Sequence, residues 1–217
     1  MQAESSYRSP FRRSRSQVLK DLVRAALTRS PQLRVLDVGG RSVFWRDCGL
    51  DPGPALRITL LNLAFDPAEP DSGFIREVGD AVDLSRFADA SFDLVVCNSV
   101  LAHIGGPDRQ RLAAAEIRRV GRAYYVQTPN RFFPIDWVTL VPYFQLLPLE
   151  TRARLLSRFR VGRQPRIPNL ETARAWLRTK GEALTRGGLR DLFPDARLKA
   201  EFVPPVPIAK SWLALKG

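Results

Sequence analysis

Short apolar runs that end in glycine or in a polar residue recur along the first part of the chain. They cover residues 33–40, 55–63, 73–81, 91–99 and 122–130. Their length and composition are typical of buried strands, and polar connections separate them. Amphipathic patterns at helical spacing, at residues 17–29 and 110–121, precede the first and the last of these runs. This order predicts an open α/β sheet with parallel strands.

The rest of the chain follows another pattern. Residues 131–149 are rich in aromatic side chains and are interrupted by three prolines, which prevent a long helix or a central strand. Residues 150–190 are rich in arginine and predict two or three short helices. Two strand-like runs, residues 196–203 and 207–215, come last and are joined by a proline-rich turn.

Composition limits the class of protein. The chain has 217 residues, of which 45% are hydrophobic, so it can bury a full core and is not disordered throughout. Two cysteines and one histidine exclude a disulfide framework and most zinc sites, and we expect no metal. The sequence contains no apolar run of about 20 residues, so it predicts no membrane span, and the first residues lack a secretory h-region. These features favour a cytoplasmic protein.

We predict one domain over residues 1–217, with residues 1–30 as a basic helical cap and residues 131–190 as an insertion before the last two strands. The net charge of +12 is concentrated in two segments. Residues 1–24 carry +4 and residues 150–190 carry +8, while the remainder is balanced. Since 29 of the 34 basic residues are arginine, the excess reflects either a GC-rich genome or a surface for phosphate or acidic lipid.

Four of the predicted strands end in residues that suit ligand binding. Their ends are Gly39-Gly40, Asn62, Asp80-Ala81 and Asn98-Ser99. Ligands of open α/β sheets bind beyond the carboxyl ends of the strands, and a glycine pair lets the backbone approach a ligand closely. The glycine turn does not follow the G-x-G-x-x-G pattern, which argues against a nicotinamide or flavin dinucleotide.

Longer segments around these strand ends resemble a known family. VLDVGG (35–40) and GDAVDLSRFADASFDLVVCNSVLAHI (79–104) are similar to class I S-adenosylmethionine-dependent methyltransferases of the broad type 11 group. QTPNRFFPI (127–135) resembles a segment of a bacterial subgroup of these enzymes. The resemblance implies a Rossmann-like α/β fold with a seven-stranded sheet in the order 3-2-1-4-5-7-6, strand 7 antiparallel and helices on both faces. It also implies S-adenosyl-L-methionine as the cofactor.

The same resemblance assigns cofactor roles to the strand ends. It places Asp37, Gly39 and Gly40 at the methionine and ribose, Asn62 at the ribose, Asp80 and Ala81 at the adenine, and Asn98 and Ser99 near the methionine. Two departures stand out. The first loop reads GGRSVFW rather than the common G-C-G-T-G, and Asn62 replaces the usual acid. Asp136-Trp137-Val138 stands where the subgroup commonly has Glu-Pro-His. If this triplet helps to bind the substrate, the resemblance implies an altered reaction in this chain.

Two residues are candidates for a catalytic role. His103, the only histidine, follows Ser99 by one helical turn and is a candidate general base for a hydroxyl or amine acceptor. The alternative is that His103 only forms a hydrogen bond or packs against a helix. Asp136 is the second candidate, because it begins the altered triplet. A sulfonium is already a good leaving group, so alignment of acceptor and methyl supplies much of the catalysis and a base is optional.

The aromatic segment 131–149 has three interpretations. It forms a lid over an acceptor pocket, or it packs over the edge of the sheet, or, with the basic residues that follow, it forms an interfacial membrane patch through residues 131–190. The membrane patch would suit a lipid-linked or phosphorylated glycan as the acceptor, and a location peripheral to the inner membrane.

Together these observations predict a methyltransferase that acts, by O-methylation, on a small-molecule, saccharide or lipid-linked acceptor. Two alternatives stay open: a non-catalytic binding protein that kept the fold, and an RNA methyltransferase that uses the basic flanks. The sequence argues against nucleic acid, because it contains no aromatic-interleaved RNA-binding module. It predicts no oligomeric state.

Overall fold

The computed structural model describes residues 10–67, 73–136, 138–203 and 205–217. The helices are α1 Pro10–Leu27, α2 Ser42–Asp47, α3 Pro107–Val120, α4 Leu149–Arg158, α5 Leu170–Thr179 and α6 Arg186–Leu192, with a 3-10 helix at Phe144–Leu146. The strands are β1 Leu33–Val38, β2 Leu56–Asn62, β3 Ile75–Val78, β4 Phe92–Asn98, β5 Gly121–Pro129, β6 Arg197–Val203 and β7 Val206–Lys216.

The strands form one seven-stranded sheet in the order β3-β2-β1-β4-β5-β7-β6. β1 pairs in parallel with both β2 and β4, and β2 pairs in parallel with β3. β6 and β7 are neighbours joined by a two-residue connection, which requires them to be antiparallel. The predicted fold class and strand order are therefore confirmed.

The central strands form because their side chains are apolar on both faces. In β1 every residue except Arg34 is buried, and β2 and β4 bury nearly all of theirs. Such continuous apolar runs are typical of parallel strands covered on both sides. The register pairs Asp37 with Leu60 of β2 and with Val96 of β4, so the carboxyl ends of these three strands lie side by side.

Some elements differ from the sequence-based expectation. The third strand ends at Val78 rather than near residue 81, since the chain turns at Gly79 and Asp80. Helix α2 was not predicted, because its six residues are too few to show a helical period. The arginine-rich segment does form three short helices, α4 to α6, as expected.

The chain divides into two compact units. The first contains the chain up to Asn98 together with Ala115–Val126 and Leu215–Gly217, and the second contains Ser99–Ala114 and Gln127–Ala214. In the second unit, α4 and α5 share an apolar core that includes Phe144, Leu156 and Leu177. Among the described residues, no helix is long and apolar enough to cross a membrane.

Candidate functional site

The turn after β1 favours glycine at both of its first positions. Gly39 adopts a φ of 69° and donates its N–H to the carbonyl of Leu61 at 2.7 Å. A Cβ on Gly40 would lie 1.8 Å from Oδ2 of Asp37, far inside van der Waals contact. The backbone at Gly40 therefore passes directly over the Asp37 carboxylate, and a side chain at this position would collide with it.

The carboxylate of Asp37 is buried, with 1% of the residue exposed. Trp45 of α2 donates its indole N–H to Oδ2 at 2.6 Å, while Oδ1 has no hydrogen-bond partner in the described part of the chain. Burial raises the pKa of Asp37 to about 7, and the Trp45 hydrogen bond acts in the opposite direction. The role of Trp45 was not predicted, since nothing in GGRSVFW marks that side chain as a partner of Asp37.

Asn62 links the turns that follow β1 and β3. Its side-chain amide donates to the carbonyl of Gly40 at 2.8 Å, and its own carbonyl accepts the N–H of Gly79 at 2.9 Å. Asn62 therefore positions the glycine turn through its nitrogen. An acid at this position could not donate that hydrogen bond, which gives a physical reason for the departure from the family's usual residue.

The turn after β3 carries the predicted adenine contacts. Oδ1 of Asp80 accepts the N–H of Val82 at 3.2 Å, and Ala81 is buried with 7% exposed. Helix α3 holds the segment that follows, because Arg119 donates to the carbonyls of Leu84 at 2.9 Å and Phe87 at 2.8 Å.

Glu116 acts together with Arg119, and we call these two residues the clamp. Its carboxylate accepts the backbone N–H of Leu84 at 2.7 Å and pairs with Arg119 at 2.8 Å. The Arg119 hydrogen bond, followed by the Leu84 N–H, holds the pKa of Glu116 below its usual value. Sequence reasoning missed both clamp residues, because an Arg and a Glu three positions apart on a helix look like an ordinary surface pair.

Asn98 is the last residue of β4 and is partly exposed. With it, the first unit contains seven of the eight predicted cofactor residues. The structure joins the turns after β1, β2 and β3 by direct hydrogen bonds through Asn62, Gly39 and Gly79. The sheet register places the end of β4 next to the end of β1.

Ser99, the eighth, belongs to the second unit. It has a φ of 67°, which is rare for a residue with a side chain, and its N–H donates to the carbonyl of Gln127 at 2.9 Å. Its hydroxyl also donates to the side-chain oxygen of Gln127. Strained backbone at a strand end is common at functional sites, and here two hydrogen bonds to β5 maintain it.

His103 lies four residues further, in the same unit. Part of the imidazole is exposed, yet partial burial lowers its pKa, and the charge of Lys180 lowers it further. The segment is packed tightly, since a Cβ on Gly181 would lie 1.7 Å from the carbonyl oxygen of Ala102. Gln110 reinforces this contact by donating to carbonyls of both partner segments, those of Leu101 and Glu182, each at 3.0 Å.

Asp136 is buried and organises a turn. Its Oδ1 accepts the N–H of Val138 at 3.1 Å and both the N–H and the hydroxyl of Thr139, at 2.5 and 2.7 Å. These contacts give the carboxylate a structural function, and its catalytic role stays a prediction. Trp137 of the same triplet lies outside the described residues.

Comparison with known proteins gives one family match. Residues 47–123, about a third of the chain, match a family model described as a methyltransferase domain. The comparison with curated protein sequences found no match.

The fold is similar to several solved structures. One is the CurJ carbon methyltransferase, with a TM-score of 0.59 and 13% identity, covering 96% of this chain and 55% of that one. This chain thus spans about half the length of that protein. Another is the magnesium protoporphyrin IX methyltransferase of Synechocystis PCC 6803, with a TM-score of 0.52, 12% identity and coverage of 95% and 85%.

A protein of Rhodobacter sphaeroides named as a Zn-dependent alcohol dehydrogenase has a TM-score of 0.55 and 14% identity, with coverage of 89% and 87%. At such identities the likeness concerns the fold alone, and the fold does not determine the reaction. The family match and the fold together confirm the resemblance to class I methyltransferases, and the family supports S-adenosylmethionine as the cofactor.

Proposed function

We propose that this chain, which has the class I methyltransferase fold and a family match over residues 47–123, transfers a methyl group from S-adenosylmethionine to an oxygen of a small-molecule, saccharide or lipid-linked acceptor. The observation that carries the proposal is the set of linked turns at the carboxyl ends of β1 to β3, which is where ligands of open α/β sheets bind.

The residues of the first unit fit this cofactor. Gly40 keeps the backbone close to the Asp37 carboxylate, whose Oδ1 is buried and has no hydrogen-bond partner among the described residues. S-adenosylmethionine supplies an electrophilic methyl group on a sulfonium. The chain's own task is to bind and orient that group and to exclude water from it.

Two side chains define how the nucleoside part would be recognised. The amide nitrogen of Asn62 already binds Gly40, so the group it offers to a ribose hydroxyl is its oxygen. Asp80 has a partly exposed carboxylate at the turn that follows β3, where it can accept from an exocyclic amino group.

Calorimetric titration with S-adenosylmethionine and S-adenosylhomocysteine tests the proposal. We expect both to bind, and Asp80→Ala to weaken binding about tenfold through loss of a charged acceptor. Asp83→Ala is the matched control, because it removes an exposed carboxylate from the same turn and should leave affinity unchanged. A folded wild-type protein that binds neither compound contradicts the proposal.

His103 is the proposed general base for the acceptor. Its lowered pKa keeps the imidazole neutral at pH 7, and the neutral form is the one that can take a proton. His103→Gln should lower the rate of transfer while leaving cofactor affinity intact. An unchanged rate would show that alignment alone suffices.

Peripheral membrane contact is a second proposal, carried by exposed apolar side chains of the second unit. Leu140 and Tyr143 are 54% and 53% exposed and have positive φ values of 64° and 57°. Arg163 lies beside them, since it donates to the carbonyls of Val138 and Thr139. Apolar side chains next to arginine suit the surface of an anionic bilayer.

Sedimentation with phosphatidylglycerol vesicles, against phosphatidylcholine vesicles, tests this contact. The double variant Leu140→Ser, Tyr143→Ser should lose binding to the anionic vesicles. Leu112→Ser is the control, because Leu112 is equally exposed, at 55%, on helix α3. Equal sedimentation of all three proteins contradicts the proposal.

Turnover distinguishes the remaining alternatives. Cofactor binding without transfer to any of a broad set of acceptors would favour a non-catalytic binding protein. Salt-sensitive binding to tRNA would favour an RNA methyltransferase that uses the basic flanks.

A further inference from the structure

The second unit contains a cleft with an unusually charged lining, and we call it the Arg152 cleft. Its polar lining residues are Arg131, Asp136, Gln145, Arg152, Lys180 and Glu182. They come from the loop after β5, from α4 and from the end of α5. Apolar side chains such as Phe144 and Leu177 also line the cleft, and a concave site that combines apolar walls with convergent polar groups is a candidate ligand pocket.

Arg152 has a hydrogen-bond donor in this cleft for which the described protein supplies no acceptor. Its Nε is buried and has no hydrogen-bond partner among the described residues. Desolvation lowers the pKa of Arg152, while Glu182 and Asp136 act in the opposite direction, and the group stays charged at neutral pH. A buried charged donor without an acceptor is costly, so its retention points to a partner from outside the chain.

The neighbouring carboxylates are largely engaged elsewhere. Glu182 pairs with Arg131 at 3.1 Å, and Oδ1 of Asp136 accepts the three donors of its own turn. Lys180 adds a further positive charge and stands 5.1 Å from the centre of the Trp176 ring, which also lines the cleft. The three cations exceed the two carboxylates, so the cleft attracts an anion.

Gln145 supplies a second group without a hydrogen-bond partner, and this one is an acceptor. Its Oε1 is buried without a partner in the described part of the chain, while its Nε2 donates to the carbonyls of Phe133 and Arg131 at 2.5 and 3.4 Å. Turning the amide over would set Oε1 against two carbonyl oxygens, so the orientation is fixed. The cleft therefore offers a fixed acceptor to a hydroxyl donor.

We propose that the Arg152 cleft binds a small hydroxylated anion, a phosphate or carboxylate whose charge pairs with Arg152 and whose hydroxyl donates to Oε1 of Gln145. The ligand satisfies both buried groups at once, which neither a neutral polyol nor an anion without a hydroxyl, such as sulfate, can do. This site belongs wholly to the second unit and does not depend on the proposed methyl transfer.

Nitrogen-15 NMR gives a site-specific test, because the Arg152 Nε–H and the Trp176 indole N–H report directly on the cleft. The probes are glycerol 3-phosphate, glycerate, sulfate and glycerol, each titrated at about 0.15 M salt to screen non-specific attraction. We expect glycerol 3-phosphate or glycerate to shift the Arg152 resonance and to bind more tightly than sulfate or glycerol. Which of the two binds identifies the anionic group.

Variants separate this site from general positive charge. Arg152→Lys keeps the charge but removes the Nε donor, and should weaken binding about tenfold or more. Arg154→Lys is the matched control, an exposed arginine on the same helix, and should bind as the wild type does. Equal weakening by both variants, or no binding by the wild type to either hydroxylated anion, overturns the proposal.

Thermal unfolding without ligand excludes a merely structural role. Because the Nε has no partner in the described protein, Arg152→Met should unfold at the same or a higher temperature than the wild type while losing the stabilisation by the anion. A lower unfolding temperature with intact anion binding would contradict the proposal. Titrating the same variants with S-adenosylhomocysteine keeps the two proposals distinguishable, since loss of that binding concerns only the first unit.

Discussion

The two compact units hold a buried carboxylate in opposite ways. In the first, Asp37 accepts one hydrogen bond from Trp45 and keeps its other oxygen bare, under a glycine turn. In the second, one oxygen of Asp136 accepts three hydrogen bonds from the two residues of its own turn. A saturated carboxylate fixes its loop, whereas an unsaturated one remains available to a ligand. The contrast gives the Asp136 carboxylate a structural function and agrees with the proposed role of Asp37 at the cofactor.

The largest expected effect tests the unsaturated carboxylate. Burial raises the pKa of Asp37 from 3.8 to about 7, so the folded protein holds a proton that the unfolded chain releases. The resulting stability is fully present below the unfolded pKa of 3.8 and is lost as the pH rises to about 7. The Asp37→Asn variant has no carboxyl group to titrate at this position, so it does not show this loss of stability. Its stability relative to the wild type should rise by about 1.4 kcal/mol per pH unit, roughly 4 kcal/mol in all.

Urea unfolding of both proteins between pH 4 and pH 8 measures that difference. Trp45→Phe provides a control of known sign, because the indole hydrogen bond lowers the pKa of Asp37. Loss of this hydrogen bond should raise the pKa of Asp37 further, so the stability should continue to fall to a higher pH. A difference between Asp37→Asn and the wild type that does not change with pH would show that Asp37 is ionised in the folded protein, and the contrast with Asp136 would disappear.

The next effect tests how the second unit is packed. Gly181 follows α5 with a φ of 67°, and its Cβ would lie 1.7 Å from the backbone oxygen of Ala102, so Gly181→Ala must displace main chain. We expect a loss of about 3 kcal/mol, from the overpacking and the backbone strain together. Gly49→Ala is the matched control. Gly49 also follows a helix, with a φ of 62°, but has open space around it, so its loss should be only about 1 kcal/mol. Equal losses in thermal unfolding would contradict the tight packing.

The sequence predicted the first unit far better than the second. Buried parallel strands appear as continuous apolar runs with abrupt ends, so the ends of β2 at Asn62 and of β4 at Asn98 could be located directly. The partly exposed β3 ends at Val78, earlier than predicted, and the order of the strands came from the family resemblance. Arg152 and Gln145 gave no such signal. Their importance depends on which groups lack partners after folding, and residues as distant as Glu182 decide that.

A smaller effect separates structure from catalysis at Asp136. Asp136→Ala leaves two N–H groups and one hydroxyl without their acceptor and should destabilise the protein by about 2 kcal/mol. Asp136→Asn keeps an oxygen acceptor, so it should fold and transfer methyl groups almost as the wild type does. Normal thermal unfolding combined with lost transfer in Asp136→Asn would instead support the catalytic role.

The smallest effect concerns the clamp that Arg119 and Glu116 form on the segment that follows the turn of Asp80 in the first unit. Arg119 reaches two backbone carbonyls, of Leu84 and Phe87, and its ion pair with Glu116 fixes the guanidinium between them. Arg119→Lys keeps the charge but cannot make all these bonds at once, and should cost about 1 kcal/mol of stability. Arg118→Lys, at the exposed neighbouring position, is the control and should cost less than about 0.5 kcal/mol. If the clamp serves the cofactor, Arg119→Lys also weakens S-adenosylhomocysteine binding, by a few-fold in calorimetry, because Asp80 is then held less firmly. A stability loss with unchanged affinity would confine Arg119 to the fold and leave Asn62 as the residue that orders the binding turns.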